Sequence, residues 1–353
     1  MIGLDTGLEL ELLAPPGWTR LEVAADVGVR LGLRVESFVT MSKVPVPLAD
    51  LGALDPKAGA AAATALLADV ARHHGAAVHA LAEDGRHFYL AHRGARLMGT
   101  DGLPLLLFVH DNSIDGGERV TEVVTRPFAG LEPVRLDPAT PSRQPAPQRG
   151  GGAASARSGR KGAGQSAHGQ IGPRGVFAAI EAVVSIPGVS LPPRAALHVH
   201  VDGRGFCDPT RLARLVALFS LWEPVLRRWL RTPSDLLAAK ALPTELAPRL
   251  HQLAVAGAPW SAAQQALREL LAGRGHALNL YNLAVDEPGK RTVEFKLAAP
   301  SLSLPFIEAV RQVAVGFAAL ALDTERNAPV DDEAELLQAL DPDGAARRGL
   351  GLR

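Results

Sequence analysis

Three segments of the chain place ionisable side chains two residues apart with apolar residues between them. Glu9 and Glu11 alternate with Leu8, Leu10 and Leu12; His198 and His200 alternate with Val199 and Val201; Glu294 and Lys296 alternate with Val293, Phe295 and Leu297. A fourth segment carries Glu122 with Thr125 nearby. A period of two is the period of a β-strand, so each pair shares one sheet face while the alternate residues pack a core on the other. Taken singly, each pair reads as the solvated face of an amphipathic strand, and an exposed His-x-His is ordinary. Several carboxylates gathered on one sheet repel one another, however, and their pKa values rise unless cations neutralise them. Convergence therefore implies hard, oxygen-preferring ions such as Mg²⁺, and an imidazole among them also admits Mn²⁺ or Zn²⁺.

The elements that must position these residues are legible in outline. Before residue 141 the pattern predicts a strand over 6–13, a helix over 21–32, an extended piece over 34–39 and an alanine-rich helix over 57–74. Strands follow over 77–82, 86–92, 105–111 and 119–125, separated by turns such as Glu83-Asp84-Gly85 and Asp115-Gly116-Gly117, so neighbours should be antiparallel. Beyond residue 170 the expectations are a helix over 174–185, a strand over 195–202 and a long helix opened by Asp208-Pro209. Its apolar face carries Leu212, Leu215, Phe219, Trp222, Leu226 and Trp229, and Pro224 should break or kink it. A helix over 261–272, a strand over 291–297, a helix over 305–322 and a short helix over 331–340 complete the reading. Strands and helices alternate irregularly, which favours α+β with a mainly antiparallel sheet over a doubly wound fold.

Composition sets the outer limits. The chain has 353 residues, 47% hydrophobic and 21% charged, enough for a sizeable core, and 35 Gly with 27 Pro predict many connections. Lys plus Arg equals Asp plus Glu at 37 each, so no global field draws in nucleic acid or an anionic membrane. A single cysteine, Cys207, excludes an intramolecular disulfide framework and a multi-thiolate zinc site within one chain. The N-terminal residues, with Asp5, Glu9 and Glu11, lack the features of a secretory signal, and no span of about 18 predominantly apolar residues is read. A cytoplasmic protein is expected. The clearest break runs from Pro141 to Gln170, where Ser, Gly, Ala, Pro and Gln dominate and Arg143, Arg149, Arg157, Arg160 and Lys161 have no acidic counterpart. This reads as a disordered insertion rather than a nucleic-acid arm, since no aromatic residue is interleaved to stack on bases. Residues 1–140 and 171–325 are then expected to form one domain, and 326–353 a C-terminal tail with a short helix.

The ordered set of motifs resembles a known family. Gly7-Leu8-Glu9-Leu10-Glu11, Asp111-Asn112-Ser113 followed by Glu122-Val123-Val124-Thr125, Leu197-His198-Val199-His200-Val201, Leu278-Asn279-Leu280 and Thr292-Val293-Glu294-Phe295-Lys296 together are similar to the amidoligase family. That family is itself similar to glutamine synthetase and glutamate–cysteine ligase. The resemblance covers about residues 3–323 outside the insertion, and its specificity lies in the order of the motifs. It implies a curved antiparallel sheet with flanking helices around an ATP site, with Mg²⁺ or Mn²⁺ held by strand carboxylates and one histidine. Matching positions nominate Glu9, Glu11, Glu122, His198 and Glu294 as metal ligands, with Asp111 a further one. By the same resemblance His200 lies nearer the nucleotide and Lys296 contacts the phosphoryl group or substrate. Asn279, read on its own, either caps or bridges strands or orients substrate. The family usually has arginine where Lys296 stands; lysine keeps the charge and loses the bidentate fork.

The implied activity is an ATP-dependent carboxylate–amine ligase that forms an amide or isopeptide bond through an acyl phosphate, acting on small-molecule or peptide carboxylates and amines. Two alternatives stand beside it: a metal-dependent hydrolase using His198, His200 and the same carboxylates, and a non-catalytic binding protein that keeps the fold. Other residues carry plainer readings. Arg227, Arg228 and Arg231 complement a helix end, Trp222 and Trp229 are core, Cys207 is an ordinary helix-start cysteine, Gly150-Gly151-Gly152 is linker, and His73, His74 and His79 are surface residues.

Overall fold

In the computed structural model the Glu–Leu alternation near the N-terminus forms β1 (Asp5–Leu13), whose Leu8, Leu10 and Leu12 are buried. The structure describes residues 4–45, 77–81, 87–110, 119–129, 173–236, 239–271, 273–285, 291–324, 330, 332–341 and 343–352. The expected helix over 57–74, the turns at 83–85 and 115–117, the segment 111–113, the triglycine at 150–152 and the insertion over 141–170 lie outside the described residues.

One open sheet organises the molecule. Its main path takes β2 (Val35–Pro45), β4 (His87–Met98), β5 (Pro104–Val109), β6 (Val120–Thr125), β1, β8 (Leu197–Asp202), β10 (Thr292–Ala298) and β9 (Leu278–Asn279) in that spatial order. Two further strands, β3 (Ala77–Leu81) and β7 (Phe128–Ala129), pair with β4 and β1. Every ladder between these strands is antiparallel, and the path ends on β2 and β9 without closing into a barrel. The α+β class with an antiparallel sheet is thus the observed one. β1 lies between β6 and β8, far from both ends of the path.

Helices cover the apolar face. On it pack α1 (Arg20–Leu31), α2 (Pro173–Val184), α3 (Pro209–Trp229) and α7 (Leu304–Leu322), while α4 (Leu246–Val255), α5 (Trp260–Leu270) and the short α6 (Tyr281–Val285) extend the layer beyond α3. Phe219 of α3, Phe295 of β10 and Phe317 of α7 meet edge to face with ring centroids 6.2–6.3 Å apart, at the centre of this packing. Asp208 caps α3 by accepting from the Arg211 N–H at 2.9 Å.

Two expectations are corrected here. Pro224 does not break α3, which runs from Pro209 to Trp229. Pro224 and Ser220, whose carbonyl loses its amide partner, are both exposed, so water can satisfy that group. Burial of Leu212, Phe219, Leu226 and Trp229 on the other side holds the two halves in line. The second correction concerns the apolar span: α7 is 19 residues long and apolar enough to cross a membrane by length and composition. Most of it is buried within the fold, with Glu308 and Arg311 paired at 2.7 Å inside the protein, which is the setting of a core helix.

The C-terminal segment is also more than a tail. α8 (Glu333–Leu340) and α9 (Ala345–Leu350) bury Leu336, Leu337, Leu340, Ala346 and Leu350 against the core. Contact with α7 is backbone-close: a Cβ on Gly316 would lie 2.6 Å from the Leu340 carbonyl oxygen, and one on Gly349 would lie 2.4 Å from that of Pro305. Only glycine fits at either point. α8 falls within the helix expected over 331–340, whereas α9, at six residues, is too short for its periodicity to stand out in the sequence.

Candidate functional site

The face of the sheet opposite the helices gathers the ionisable residues, and strand register explains how. Directly opposed residues of antiparallel strands point to the same side. Gly7, His200, Glu294 and Asn279 form one row across β1, β8, β10 and β9. The next row carries Val124, Glu9 and His198 across β6, β1 and β8, and the row beyond pairs Glu122 with Glu11. On β10 the register slips between Phe295 and Ala298, which oppose Val199 and Leu197, so Lys296 and Leu297 together face His198. This β-bulge holds Lys296 beside Glu294, with its backbone N–H donating to the Ala277 carbonyl at 2.9 Å.

Side-chain distances tie the rows into one cluster. Glu9 uses both oxygens: Oε1 lies 2.9 Å from His200 Nε2 and Oε2 lies 3.3 Å from His198 Nδ1. Glu294 uses one oxygen for three contacts, with Oε1 at 3.3 Å from His198 Nδ1, 3.6 Å from His200 Nε2 and 3.2 Å from Lys296 Nζ. Its other oxygen accepts a short hydrogen bond from the Asn279 amide, which is fully buried. Asn279 in turn accepts the Tyr281 N–H through Oδ1 at 3.0 Å, the local turn that starts α6. Glu11 Oε2 accepts the Ala196 N–H at 2.7 Å, and its Oε1 is 3.7 Å from His198 Nε2.

The site is recessed, and one side of it is more open. Side chains of Glu11, His198 and Glu294 are 6–7% exposed, whereas those of Glu9 and His200 reach 21% and 18%. A small ion therefore has its readiest approach at Glu9 and His200.

Electrostatics follow from this crowding. Burial alone would raise the Glu9 carboxyl, but hydrogen bonds and charge from His198 and His200 outweigh it and hold the group well below the usual carboxylate range. Burial would lower both imidazoles; Glu9 and Glu294, joined at His198 by Glu11, overcome it and raise both, against opposition from Lys296.

The donor set fits a divalent cation. One oxygen from Glu9, one nitrogen from His200 and one oxygen from Glu294 lie within 4.8 Å of one another. Ligands about 2.0–2.3 Å from a common ion stand at most about 4.6 Å apart, so the three need move little to meet one. Nε2 of His198 is buried without a hydrogen-bond partner, and Nε2 of His200 faces Glu9 Oε1 at 2.9 Å, so both nitrogens are directed into the cluster. Two carboxylates and an imidazole suit Mg²⁺, Mn²⁺ or Zn²⁺.

Of the residues singled out from the sequence, Glu9, Glu11, His198, His200, Asn279, Glu294 and Lys296 come together. Glu122 reaches the same face by register, opposite Glu11, and is partly buried. Asp111 lies outside the described residues. The three-ligand group found among the described residues contains His200 rather than His198, although the resemblance had assigned the metal to His198. The helix-end arginines are structural: Arg227 pairs with Glu223 at 2.7 Å, Arg228 with Glu333, and Arg231 donates to the Leu350 carbonyl at 2.9 Å. Trp222 and Trp229 are core, as expected.

Sequence reasoning gave no role to three polar residues. Thr292 and Asn282 form a chain behind His200, and Arg20 is a buried clamp that donates to the carbonyls of Val120 and Arg93 at 2.8 and 3.0 Å. Thr292 stood inside a quoted motif and its period-two relation to Glu294 was visible; nothing marked Asn282 or Arg20. Comparison with protein-family models, with curated proteins and with solved structures gives no match to this chain in any of the three.

Proposed function

We propose that this polar face binds a divalent cation, Mg²⁺ or Mn²⁺, beside the triphosphate of ATP, and that the chain is an ATP-dependent carboxylate–amine ligase. The observation that carries the reading is the convergence of Glu9, His198, His200, Glu294 and Lys296 from three strands into one recessed cluster. An open antiparallel sheet with carboxylates on one face and helices on the other is also what a sheet of the glutamine synthetase and glutamate–cysteine ligase type requires, and we assign the fold to that type on the motif order and this arrangement together.

The chemistry follows from the poor electrophilicity of a carboxylate. A substrate carboxylate oxygen attacks the γ-phosphorus of ATP; the bond to the β-phosphate oxygen breaks, ADP leaves, and an acyl phosphate forms. The amine nitrogen then attacks the acyl carbon, phosphate departs with the former carboxylate oxygen, and the nitrogen loses a proton to give the amide. Glu9, Glu294 and His200 would hold the cation, with Glu11, Glu122 and His198 in reach of a further one. A cation bound there supplies charge against the phosphate oxygens. Lys296 offers a point charge to the transferring phosphoryl group, and Asn279 keeps Glu294 turned toward the cluster. The recessed setting limits water, which would otherwise hydrolyse the acyl phosphate.

The test is Mg²⁺-dependent phosphate release from ATP across a panel of amino acids and peptides, with Glu294→Ala as control. Release that depends on both a carboxylate and an amine, and that is lost in the variant, supports the ligase. Hydrolysis of an amide without ATP would support the metal-dependent hydrolase instead.

A further inference from the structure

Behind His200 stands a short polar chain that none of the roles above uses. His200 Nδ1 lies 3.3 Å from the Thr292 hydroxyl oxygen, and the Asn282 amide donates to that same oxygen at 2.9 Å. Thr292 is the first residue of β10, two before Glu294, and Asn282 sits in α6, three residues after Asn279. The two amides lie at the passage from β9 into α6, and both reach the first half of β10: Asn279 bonds Glu294 and Asn282 bonds Thr292.

We propose that Thr292 is a positioning residue that fixes the orientation and tautomer of His200, presenting Nε2 to the cation, with Asn282 holding the Thr292 hydroxyl in place. This inference rests on the cation site described above. A neutral imidazole carries one proton, and the nitrogen without it is the one that ligates. With a cation on Nε2, which faces Glu9 at 2.9 Å and Glu294 at 3.6 Å, the one proton of the neutral ring lies on Nδ1, where the Thr292 oxygen at 3.3 Å can accept it. A hydroxyl alone could rotate away from the ring. The amide of Asn282, itself buried, donates to one lone pair of the oxygen, which limits rotation of the hydroxyl and leaves the second lone pair available to His200.

Thr292→Val keeps shape and strand preference while removing the acceptor, and Thr292→Ser keeps the acceptor. Mn²⁺ titration followed by electron paramagnetic resonance should show wild-type and Thr292→Ser proteins binding alike, and Thr292→Val about 10-fold more weakly. In the Zn²⁺-loaded wild type, ¹⁵N spectra of labelled histidine should show His200 protonated at Nδ1 and ligating through Nε2. The spectrum needs no variant, so it stands even if Thr292→Val does not fold; His200 ligating through Nδ1 would overturn the proposal. Equal Mn²⁺ affinity in folded Thr292→Val, or a Thr292→Ser protein as weak as it, would also overturn the proposal and leave the cation site standing. A wild-type protein that binds no Mn²⁺ would overturn both.

Discussion

The two faces of the β1–β8–β10 sheet are made from alternate residues of the same strands, yet they obey opposite rules. One face, with Leu8, Leu10, Val199, Val201, Val293 and Phe295, is dry and packed by α3 and α7. The other collects the ionisable Glu9, Glu11, His198, His200, Glu294 and Lys296 in a recess that is more open at Glu9 and His200. Burying apolar side chains stabilises a fold by about 25 cal/mol per Å² removed from water, whereas burying charges costs free energy unless they are paired. The comparison teaches that the apolar face holds the backbone in register, and that this register makes the polar face possible. A site of like-charged carboxylates is tolerated because the other side of the same strands over-determines its geometry.

Breaking the apolar face should produce the largest effect. Phe317→Ala removes the ring that Phe219 and Phe295 pack against and should destabilise the protein by about 3–5 kcal/mol in denaturant unfolding. Mn²⁺ affinity of the folded fraction should stay as it was. Glu294→Gln makes the converse change: little loss in unfolding free energy, but Mg²⁺-dependent ATP turnover lower by at least about 100-fold, the upper end of what removing a residue behind a metal ligand costs. If the two variants changed the same observable, the division between faces would fail.

The pH dependence sharpens the contrast further. Glu9 has a folded-state pKa below its ordinary value, so it contributes stability above about pH 4.3 that is lost as pH falls through the depressed value. His198 and His200 are raised, so their contribution is full below about pH 6.5 and is lost as pH rises through the raised values. Metal-free protein should therefore gain most from this face between those two limits. Added Mn²⁺ should move the optimum upward, since a cation and the histidine protons compete for the same cluster. Thermal unfolding across pH, with Mn²⁺ and with a chelator, checks both statements. The smallest effect belongs to neither face: Arg228→Ala, which removes an exposed pair with Glu333, should cost at most about 1 kcal/mol in unfolding and leave turnover unchanged.

Much of this division was legible in the sequence, because a period of two reports directly which residues share a face. The alternations around Glu9, His198 and Glu294 led to the strands and to the cluster. They could not show spatial strand order, since β1 pairs with β6 and β8 across more than 100 residues of chain. Pairing at that distance is set by the whole packed layer, not by local pattern. Pro224 misled for a related reason: its local penalty was visible, but the burial on the far side of α3 was not. Arg20 and Asn282 look like ordinary surface residues in sequence, and only tertiary contact reveals one as a clamp and the other as support for Thr292. The likeness of α7 to a membrane span was missed because Glu308 and Arg311 interrupt the run in sequence, while in the fold they neutralise each other.

The claim on which the rest depends is that the polar face holds a divalent cation. Calorimetric titration of Mn²⁺ into chelator-treated protein, in parallel with Glu294→Gln, tests it most directly. The account predicts saturable binding by the wild type, with protons released as the ion enters, and a loss of that binding in the variant. An absence of binding heat in the wild type, or equal binding by a folded Glu294→Gln protein, would contradict it.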